Sequence, residues 1–285
     1  MNNRQVLKVG VLHPGLMGES VAASIQQSGH TVFWVSEGRR EQTRKRAEKH
    51  GLKDANSLPE LCGRADVIIS ICPPHAAEDM ADQILACCFN GIYVDANAIS
   101  PDRALQIAVR MQQAGVDFVD GGIIGVPAWE PGKTWLHLSG QRSEQIAMLF
   151  EKGPMETNIV GTEPGQASSL KMCYAGYNKG NTALLTAILA LAEVSGVRGH
   201  LEKQWDNHWP GFNEATGNKI RSASVKAWRF TGEMQEIAST LQQAGLPGGF
   251  HQAAEEIYQG MAHFKDVNPK PALEEILKSL KEEMQ

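Results

Sequence analysis

The chain has 285 residues, a formal net charge of -5 at pH 7 and an apolar fraction of 42%. This length accommodates two domains, and the composition is that of a globular protein with apolar cores. The negative net charge and the scattered basic residues argue against a nucleic-acid partner. The cysteines lack zinc-type spacing and no secretory leader precedes the first predicted strand, so we expect a cytoplasmic protein with reduced thiols and no metal. The longest apolar helical run is about half of the length that spans a bilayer, so no membrane partner is expected.

Strands and helices alternate through the first half of the chain. Strands are predicted at residues 7–12, 31–35, 66–71, 92–95, 118–120, 135–139 and 158–160. A serial βα pattern predicts a doubly wound parallel sheet of the Rossmann type. Helical periodicity alone continues after residue 161, with breaks at 210–211, 246–249 and 269–271. We therefore predict an α/β dinucleotide-binding domain over residues 1–162 and an all-α substrate and dimerisation domain over residues 163–285.

The turn after the first predicted strand carries a glycine pattern suited to a nucleotide. Measured against G-x-G-x-x-G, it keeps the second and third glycines as Gly15 and Gly18, and it has His13 in place of the first. Gly15 allows a phosphate to approach the backbone, and Gly18 allows close packing of the following helix. We expect a dinucleotide to be bound by six consecutive residues, namely His13, Pro14, Gly15, Leu16, Met17 and Gly18.

The end of the second predicted strand decides between the two nicotinamide cofactors. An acid at this position would bind the ribose hydroxyls of NAD, but the residue here is Ser36. Serine can donate to a 2′-phosphate, and Arg39 and Arg40 can pair with that dianion, so NADP is predicted. In the alternative, Glu37 binds the ribose of NAD and the two arginines are solvated.

A further cofactor-binding loop follows the strand predicted at 66–71. Cys72, Pro73 and Pro74 lie where this strand ends, and ligands bind at the carboxyl edge of such sheets. These three residues are therefore predicted to lie beside the ribose and the nicotinamide.

Lys171 lies about one and a half turns into a predicted long helix that opens near Gly165. Because a nucleotide-binding signature precedes it, we expect its amine to enter the cleft between the two domains and to exchange a proton with a substrate oxygen. Helical spacing places Tyr174 and Asn178 on the same face. Tyr174 is expected to hydrogen-bond the substrate or to pack, and Asn178 to supply an amide.

These motifs resemble the β-hydroxyacid dehydrogenase superfamily, which includes 6-phosphogluconate and 3-hydroxyisobutyrate dehydrogenases. The turn at 13–18 matches G-x-G-x-M-G, and residues 95–98 correspond to D-x-S-T. Residues 120–126 correspond to D-A-P-V-S-G-G, and residues 165–175 match G-x-G-x-x-x-K-x-x-N-N in part. The chain is most similar to little-characterised phosphogluconate-dehydrogenase-like oxidoreductases that have their own type of helical C-terminal domain.

The resemblance implies that Lys171 is the general acid/base and that Asn97 lies in the cofactor site. It also implies a substrate loop at Ile123, Ile124 and Gly125. The sequence departs from the family pattern at two places. Ile124 stands where the family has serine, and Tyr174-Ala175 stands where it has two asparagines.

The helical half contributes a second group of predicted substrate-binding residues, namely Arg221, Trp228, Arg229 and Glu233. Arginine can bind a carboxylate with two parallel hydrogen bonds, but the sequence does not rank the two arginines. Aromatic residues at helical spacing are also compatible with a core. The apolar run 184–194, together with the family resemblance, predicts a homodimer formed through the helical domain.

The preferred function is an NADP-dependent dehydrogenase or reductase that acts on a small hydroxyacid or its oxoacid, which places it among enzymes acting on CH-OH donors. Two alternatives remain. An imine reductase would use the same fold, and Ile124 makes the substrate loop more apolar than a hydroxyacid site requires. A nucleotide-binding sensor would keep the fold without turnover.

Overall fold

The computed structural model describes residues 5–283. The chain divides into two compact units, and the boundary along the chain falls between Met172 and Cys173. The first unit is an α/β structure and the second is helical.

The first unit contains an eight-stranded sheet in the order β3-β2-β1-β4-β5-β6-β7-β8. Its strands are β1 (Lys8–Val11), β2 (Thr31–Trp34), β3 (Lys53–Asp54), β4 (Val67–Ser70), β5 (Ile92–Asp95), β6 (Asp117–Gly125), β7 (Thr134–Ser139) and β8 (Glu156–Gly161). Its complete helices are α1 (Leu16–Gln27), α2 (Glu41–Lys49), α3 (Leu58–Cys62), α4 (Ala77–Ala86), α5 (Pro101–Gln113) and α6 (Ser143–Ala147). The predicted doubly wound sheet is confirmed.

One strand pair departs from the predicted parallel order. β6 and β7 are antiparallel, with Gly122 opposite His137, whereas the other paired strands are parallel. The connection at 126–133 is too short for the crossover that a parallel pair requires, because such a crossover takes a dozen residues or more. The sheet is therefore mostly parallel, as predicted, with one antiparallel pair.

The sheet buries apolar side chains on both faces. In β4, Val67 and Ile69 belong to one core cluster, together with residues of α1. Ile68 belongs to the other cluster, together with residues of α4 and α5. This alternation follows from the period of two along a strand, and it explains why three consecutive residues of β4, Val67 to Ile69, are all apolar.

Three elements differ from the prediction. β3 and α3 were not predicted, because the two residues of β3 are exposed and α3 is too short for a helical period to be recognised. β6 was predicted to end at Asp120 but continues to Gly125. The glycines that follow Asp120 resemble a strand end in sequence, whereas the structure uses them within the strand.

The second unit is built from helices, as predicted. The long helix α7 (Gln166–Val194) begins in the first unit and ends in the second, where α8 (Arg198–His208), α9 (Phe212–Ser224), α10 (Ala227–Gln243), α11 (Gly249–Gly260) and α12 (Leu273–Glu283) follow it. The predicted breaks fall between α8 and α9, between α10 and α11 and between α11 and α12, and Gly249 at the end of the second break is the first residue of α11. No helix in the described part of the chain is long and apolar enough to span a membrane.

The apolar second half of α7 is only partly buried. Leu189 is 2% exposed, whereas Leu191 and Val194 are 62% and 60% exposed. The predicted apolar run therefore has one covered side and one uncovered side in the single chain.

Candidate functional site

The glycine turn connects β1 to α1 at the carboxyl edge of the sheet. Gly15 precedes the first residue of α1 with a φ of -74°, a backbone conformation that any residue can adopt. A β-carbon built at Gly15 would meet no atom within 4 Å, whereas one at Gly18 would overlap the carbonyl oxygen of His13. The fold therefore requires glycine at position 18. At position 15, glycine leaves open space in front of the helix.

The open space beside Gly15 is suited to an anion. No side chain caps the first amides of α1, and a helix N-terminus favours negative charge. His13 Nδ1 and Arg39 Nε are buried and have no hydrogen-bond partner among the described residues. Burial and, to a lesser extent, the Arg39 charge lower the pKa of His13 to about 4. The residues present thus fit a phosphate-bearing cofactor, which would supply the missing partners.

Arg39 lies close to residues of two other loops that are distant in sequence. Its charge acts on His13 after β1 and on the Cys72 thiol after β4, while Arg39 itself follows β2. Burial raises the pKa of Cys72 to about 11, so this thiol is neutral near pH 7 and is not an activated nucleophile.

The loop after β2 has a shape fixed by its neighbours. Ser36 is buried, and its backbone nitrogen donates to Asp54 Oδ1 at 3.2 Å. Arg44 donates from Nη2 to the carbonyl oxygen of Ser36 at 2.7 Å and from Nε to that of Arg39 at 3.4 Å. Sequence reasoning missed Arg44, which looks like an ordinary helix residue. Glu37 and Arg40, in the same segment, are exposed.

Asn97 connects the loops after β4 and β5. Its Oδ1 accepts from the backbone nitrogen of Cys72 at 2.5 Å, and its Nδ2 donates to Ser70 Oγ at 3.2 Å and to Asp95 Oδ2 at 3.0 Å. Burial raises the pKa of Asp95 to about 7. Asn97 is itself buried, so its direct partners are protein groups. Pro73 is exposed beside it, and a short turn begins at Pro74.

The start of α7 is anchored to β6 by Asp120. This buried carboxylate accepts from the backbone nitrogens of Gly165 and Ser168, both at 2.9 Å, and from Ser168 Oγ at 2.6 Å. Ser139 Oγ donates to it at 3.2 Å. Burial raises the pKa of Asp120, and these hydrogen bonds oppose the rise. The sequence motif contained Asp120, but nothing in the sequence indicated its partner.

Lys171 follows this anchor on α7 and lies against β6. Its amine donates to the carbonyl oxygen of Ile123. A β-carbon at Gly122 would lie 3.1 Å from Lys171 Cβ and 2.7 Å from the carbonyl oxygen of Ala167, so only glycine lets α7 approach this strand.

The position of Lys171 relative to the sheet follows from strand pairing. Asp120 pairs with Asp95, the last residue of β5, and Ile123 is three residues further along β6. Lys171 therefore lies beyond the carboxyl ends of the parallel strands, on the side from which the loops after β1, β2 and β4 project.

His137 is a titratable neighbour of Lys171. It stands opposite Gly122 in the β6–β7 pair, so both positions face the same side of the sheet. Burial and the Lys171 charge lower the pKa of His137. His137 was not predicted as a site residue, because its neighbour on the adjacent strand cannot be read from the sequence.

The remaining predicted site residues near Lys171 in sequence or on the adjacent strand lie on α7 and β6. The side chains of Ile123 and Ile124 are 6% and 8% exposed, and Ile123 packs in the core cluster on one face of the sheet. Gly125 has a φ of 135° at the end of β6. Tyr174 is half exposed, and Asn178 Nδ2 donates to its backbone carbonyl at 3.0 Å.

The predicted residues of the second unit are held by partners within that unit. Arg221 Nε donates to the carbonyl oxygen of Pro271 at 2.9 Å. Glu233 is buried and forms an ion pair with Lys179. Trp228 lies 4.1 Å from Lys265 Nζ in a cation–π contact, and Arg229 is exposed. Across residues 5–283, no group of three or more histidine, cysteine, aspartate or glutamate side chains is arranged to hold a metal ion.

Two family matches cover separate parts of the chain. Residues 8–144 match the NAD binding domain of 6-phosphogluconate dehydrogenase, and residues 192–261 match a domain of unknown function, DUF1932. An uncharacterised 28.5 kDa protein of Methanothermus fervidus is 32% identical over 160 residues. That alignment covers 56% of this chain and 61% of the relative, so it spans less than two thirds of the relative's length.

Solved structures match over nearly the whole chain. A conserved protein of unknown function, described as similar to 3-hydroxyacid dehydrogenases, has a TM-score of 0.70 at 26% identity and covers 90% of this chain and 98% of its own. The 3-hydroxyisobutyrate dehydrogenase of Mycobacterium tuberculosis has a TM-score of 0.74 at 17% identity, with 97% and 100% covered. A reductive aminase from Aspergillus terreus, in complex with NADPH and ethyl levulinate, has a TM-score of 0.59 at 14% identity, with 96% and 99% covered.

The matches agree with the secondary-structure elements described above, and they confirm the resemblance to the hydroxyacid dehydrogenases. The 3-hydroxyisobutyrate dehydrogenase and the reductive aminase are less than 25% identical to this chain, so their similarity shows a shared fold alone. Residues 8–144 are thus similar to the NAD binding domain of 6-phosphogluconate dehydrogenase, residues 192–261 are similar to a DUF1932 domain, and the chain has a fold similar to that of the hydroxyacid dehydrogenases.

Proposed function

We propose that the protein is an NADP-dependent oxidoreductase that acts on a small hydroxyacid or its oxoacid, with Lys171 as the general acid/base. The observation that carries the proposal is the position of Lys171. Asp120, Gly122 and the Ile123 carbonyl hold its helix and its amine at the carboxyl edge of the sheet, where the cofactor loops also lie.

The chemistry assigned to Lys171 is proton transfer to or from the reacting oxygen. When bound, the nicotinamide supplies or accepts the hydride. During reduction the ammonium group would donate a proton to the carbonyl oxygen, and during oxidation the amine would accept one. The Ile123 carbonyl can only accept a hydrogen bond from this amine, so its role is to orient the proton donor.

The preference for NADP is supported by the loop after β2. Arg39 presents a buried Nε that has no partner among the described residues, and a 2′-phosphate would provide one. Arg44 and Asp54 hold Ser36 and Arg39 in place before any ligand arrives. Preorganised donors lose less conformational freedom on binding, which favours the phosphorylated cofactor.

The second unit supports a homodimer as part of this proposal. Leu191 and Val194 on α7 are more than half exposed, and a second copy would cover them. Burial of such side chains stabilises association by removing apolar area from water.

Imine reduction is the second candidate, and one feature favours it. Ile124, where the family has serine, is buried and apolar, so its side chain offers no hydrogen bond to a hydroxyacid. An imine carries no carboxylate or hydroxyl, so its binding does not require a serine side chain at position 124. Lys171 supports the hydroxyacid instead, because an ammonium group at this edge of the sheet can donate a proton to a reacting oxygen.

Two measurements test the proposal. Titration of NADP and NAD by protein fluorescence should show NADP binding at least ~10-fold tighter, or about 1.4 kcal/mol. Arg39→Ala should remove most of this difference. Arg64→Ala is the control, because it removes an arginine that pairs with Glu60 on α3. Equal binding of both cofactors, or an unchanged preference in Arg39→Ala, would contradict the assignment of NADP.

Turnover is then followed by nicotinamide absorbance on a panel of hydroxyacids and oxoacids and on a parallel panel of amines and imines. Hydroxyacid turnover supports the first candidate. Turnover of imines alone supports the second. Tight cofactor binding without turnover on either panel would favour a nucleotide sensor.

A further inference from the structure

Three paired residues form a row across the last three strands of the sheet. Gly122 on β6 pairs with His137 on β7, and His137 pairs with Asn158 on β8. Residues that pair in this way point to the same face of a sheet. β8 is the last strand in the sheet order, and Asn158 on it is exposed. The row therefore leads from β6 to the edge of the sheet and to solvent.

Lys171 lies at the inner end of this row. A β-carbon built at Gly122 would lie 3.1 Å from Lys171 Cβ, so α7 packs on the face to which the row points. Ser139 agrees with this orientation, because it lies two residues after His137 and its Oγ accepts from the backbone nitrogen of Ala167 on α7 at 3.0 Å. Since paired β-carbons are roughly 5 Å apart, the Cβ atoms of His137 and Lys171 lie within about 9 Å of each other. The two side chains can span this distance directly or through one water.

His137 is partly buried and is held by Asn158. Asn158 Nδ2 and His137 Nδ1 are 3.2 Å apart, and an amide nitrogen can only donate, so Nδ1 accepts and the neutral ring carries its hydrogen on Nε2. The charged groups on the neighbouring elements are Asp120 on β6, Glu156 on β8 and Lys171 on α7. Burial, followed by the charge of Lys171, lowers the pKa of His137.

The surroundings of Lys171 explain why such a neighbour matters. Its amine donates to the carbonyl oxygen of Ile123, and a carbonyl group can accept a hydrogen bond but cannot return a proton. Lys171 is itself only partly accessible to solvent. Histidine is the side chain whose ordinary pKa lies nearest to neutral pH, so it can take up and release a proton at little cost in free energy.

We propose that His137 relays protons between solvent and Lys171, an inference that rests on the proposed function of Lys171 as the general acid/base. In reduction, the Lys171 ammonium gives a proton to the carbonyl oxygen and is left as a neutral amine. His137 then gives a proton to this amine from one ring nitrogen and takes one from solvent at the other. The ammonium is thereby restored and the ring ends neutral. In oxidation the same steps run in reverse. His137 acts through Lys171 and does not touch the substrate.

The first test needs no substrate. Proton NMR titration of the histidine rings follows His137, whose signal is identified by its loss in His137→Gln or His137→Asn. We expect its pKa to lie below the ordinary value of 6.5 and to rise in Lys171→Ala, because a nearby positive charge is removed. Lys152→Ala is the control, since Lys152 is an exposed lysine of the same unit. A His137 pKa that is equal in the wild type and in Lys171→Ala would overturn the proposal.

The second test is kcat of His137→Gln at pH 8 and low buffer concentration, on the substrate that the panels identify. We expect kcat to be about 10-fold lower or more, and added imidazole should recover most of this loss because it can carry protons in place of the missing ring. His200→Gln is the matched control, since His200 is an exposed histidine on α8. Its kcat should equal that of the wild type with and without imidazole.

Two kinetic results would overturn the relay. One is a wild-type kcat in His137→Gln. The other is a lowered kcat that imidazole does not restore, in a variant with unchanged circular dichroism and melting temperature, because His137 would then position Lys171 without carrying its proton. Failure of the proposed function is distinguishable from both, since Lys171→Ala would then turn over at the wild-type rate.

Discussion

Because Asp120 anchors α7, replacing it should change both the stability of the fold and the position of Lys171. The perturbation is Asp120→Ala, with Asp120→Asn as its matched control. Alanine removes every acceptor that now receives the backbone nitrogens of Gly165 and Ser168 and the hydroxyl of Ser139. Asparagine retains one acceptor oxygen and nearly the same volume, and it removes a buried charge.

The size of the effect follows from the groups that lose their partner. Gly165 and Ser168 are buried, so water does not replace the carboxylate. Leaving a buried backbone donor unsatisfied costs about 1–3 kcal/mol, so two donors give about 2–6 kcal/mol for Asp120→Ala. Asp120→Asn should cost less than about 2 kcal/mol, because the retained oxygen can still accept and the desolvation of a carboxylate is avoided.

Urea denaturation followed by circular dichroism at pH 7 measures these free energies of unfolding, provided that the slope with urea is unchanged. The catalytic readout is kcat at saturating cofactor. We expect kcat to fall more in Asp120→Ala than in Asp120→Asn, because the start of α7 sets the position of Lys171. A loss of stability below about 1 kcal/mol in Asp120→Ala, or equal losses in both variants, would refute the anchoring role.

Two further predictions concern the glycine turn and a buried acid. Gly15→Val should abolish cofactor binding without loss of thermal stability. Gly18→Val should lower the melting temperature, because a β-carbon at position 18, unlike one at position 15, overlaps the backbone. Cofactor binding that is retained in Gly15→Val would place the phosphate elsewhere. Asp95 has a folded-state pKa of about 7 against an ordinary value of 3.8, so the folded protein holds a proton that the unfolded chain releases across this range. Its contribution to stability is therefore lost as the pH rises from about 4 to 7. Urea titrations at pH 5 and pH 8 should show Asp95→Asn gaining stability relative to wild type at the higher pH, and a difference independent of pH would contradict the assignment.

Elements that are determined by residues close together in the sequence were predicted well. The strand at 92–95 has the predicted bounds, because three consecutive β-forming residues, Ile92 to Val94, follow a glycine and precede Asp95. The three predicted helix breaks also hold, since proline and glycine act on their own neighbourhood. The turn at Gly15 was recognised for the same reason, because its pattern lies within one short segment.

Contacts between distant segments could not be predicted in the same way. Asp120 and Ser168 are 48 residues apart, and no local period connects them. Gly122 looks like the end of a strand in sequence, yet the structure uses it so that α7 can approach β6. His137 and Arg44 likewise gain their positions from strand pairing and loop contacts. The predicted roles of Tyr174, Asn178, Arg221 and Glu233 remain predictions that need functional measurements.

The most direct test of the central claim is steady-state kinetics of Lys171→Ala on the substrate that the panels identify. We expect cofactor affinity close to that of the wild type and a kcat lower by roughly 10² to 10⁴, the range for loss of a positioned general acid/base. Lys152→Ala is the control, because Lys152 is an exposed lysine of the same unit. A kcat equal to that of the wild type in Lys171→Ala would contradict the account and would make imine reduction with another proton donor the leading explanation.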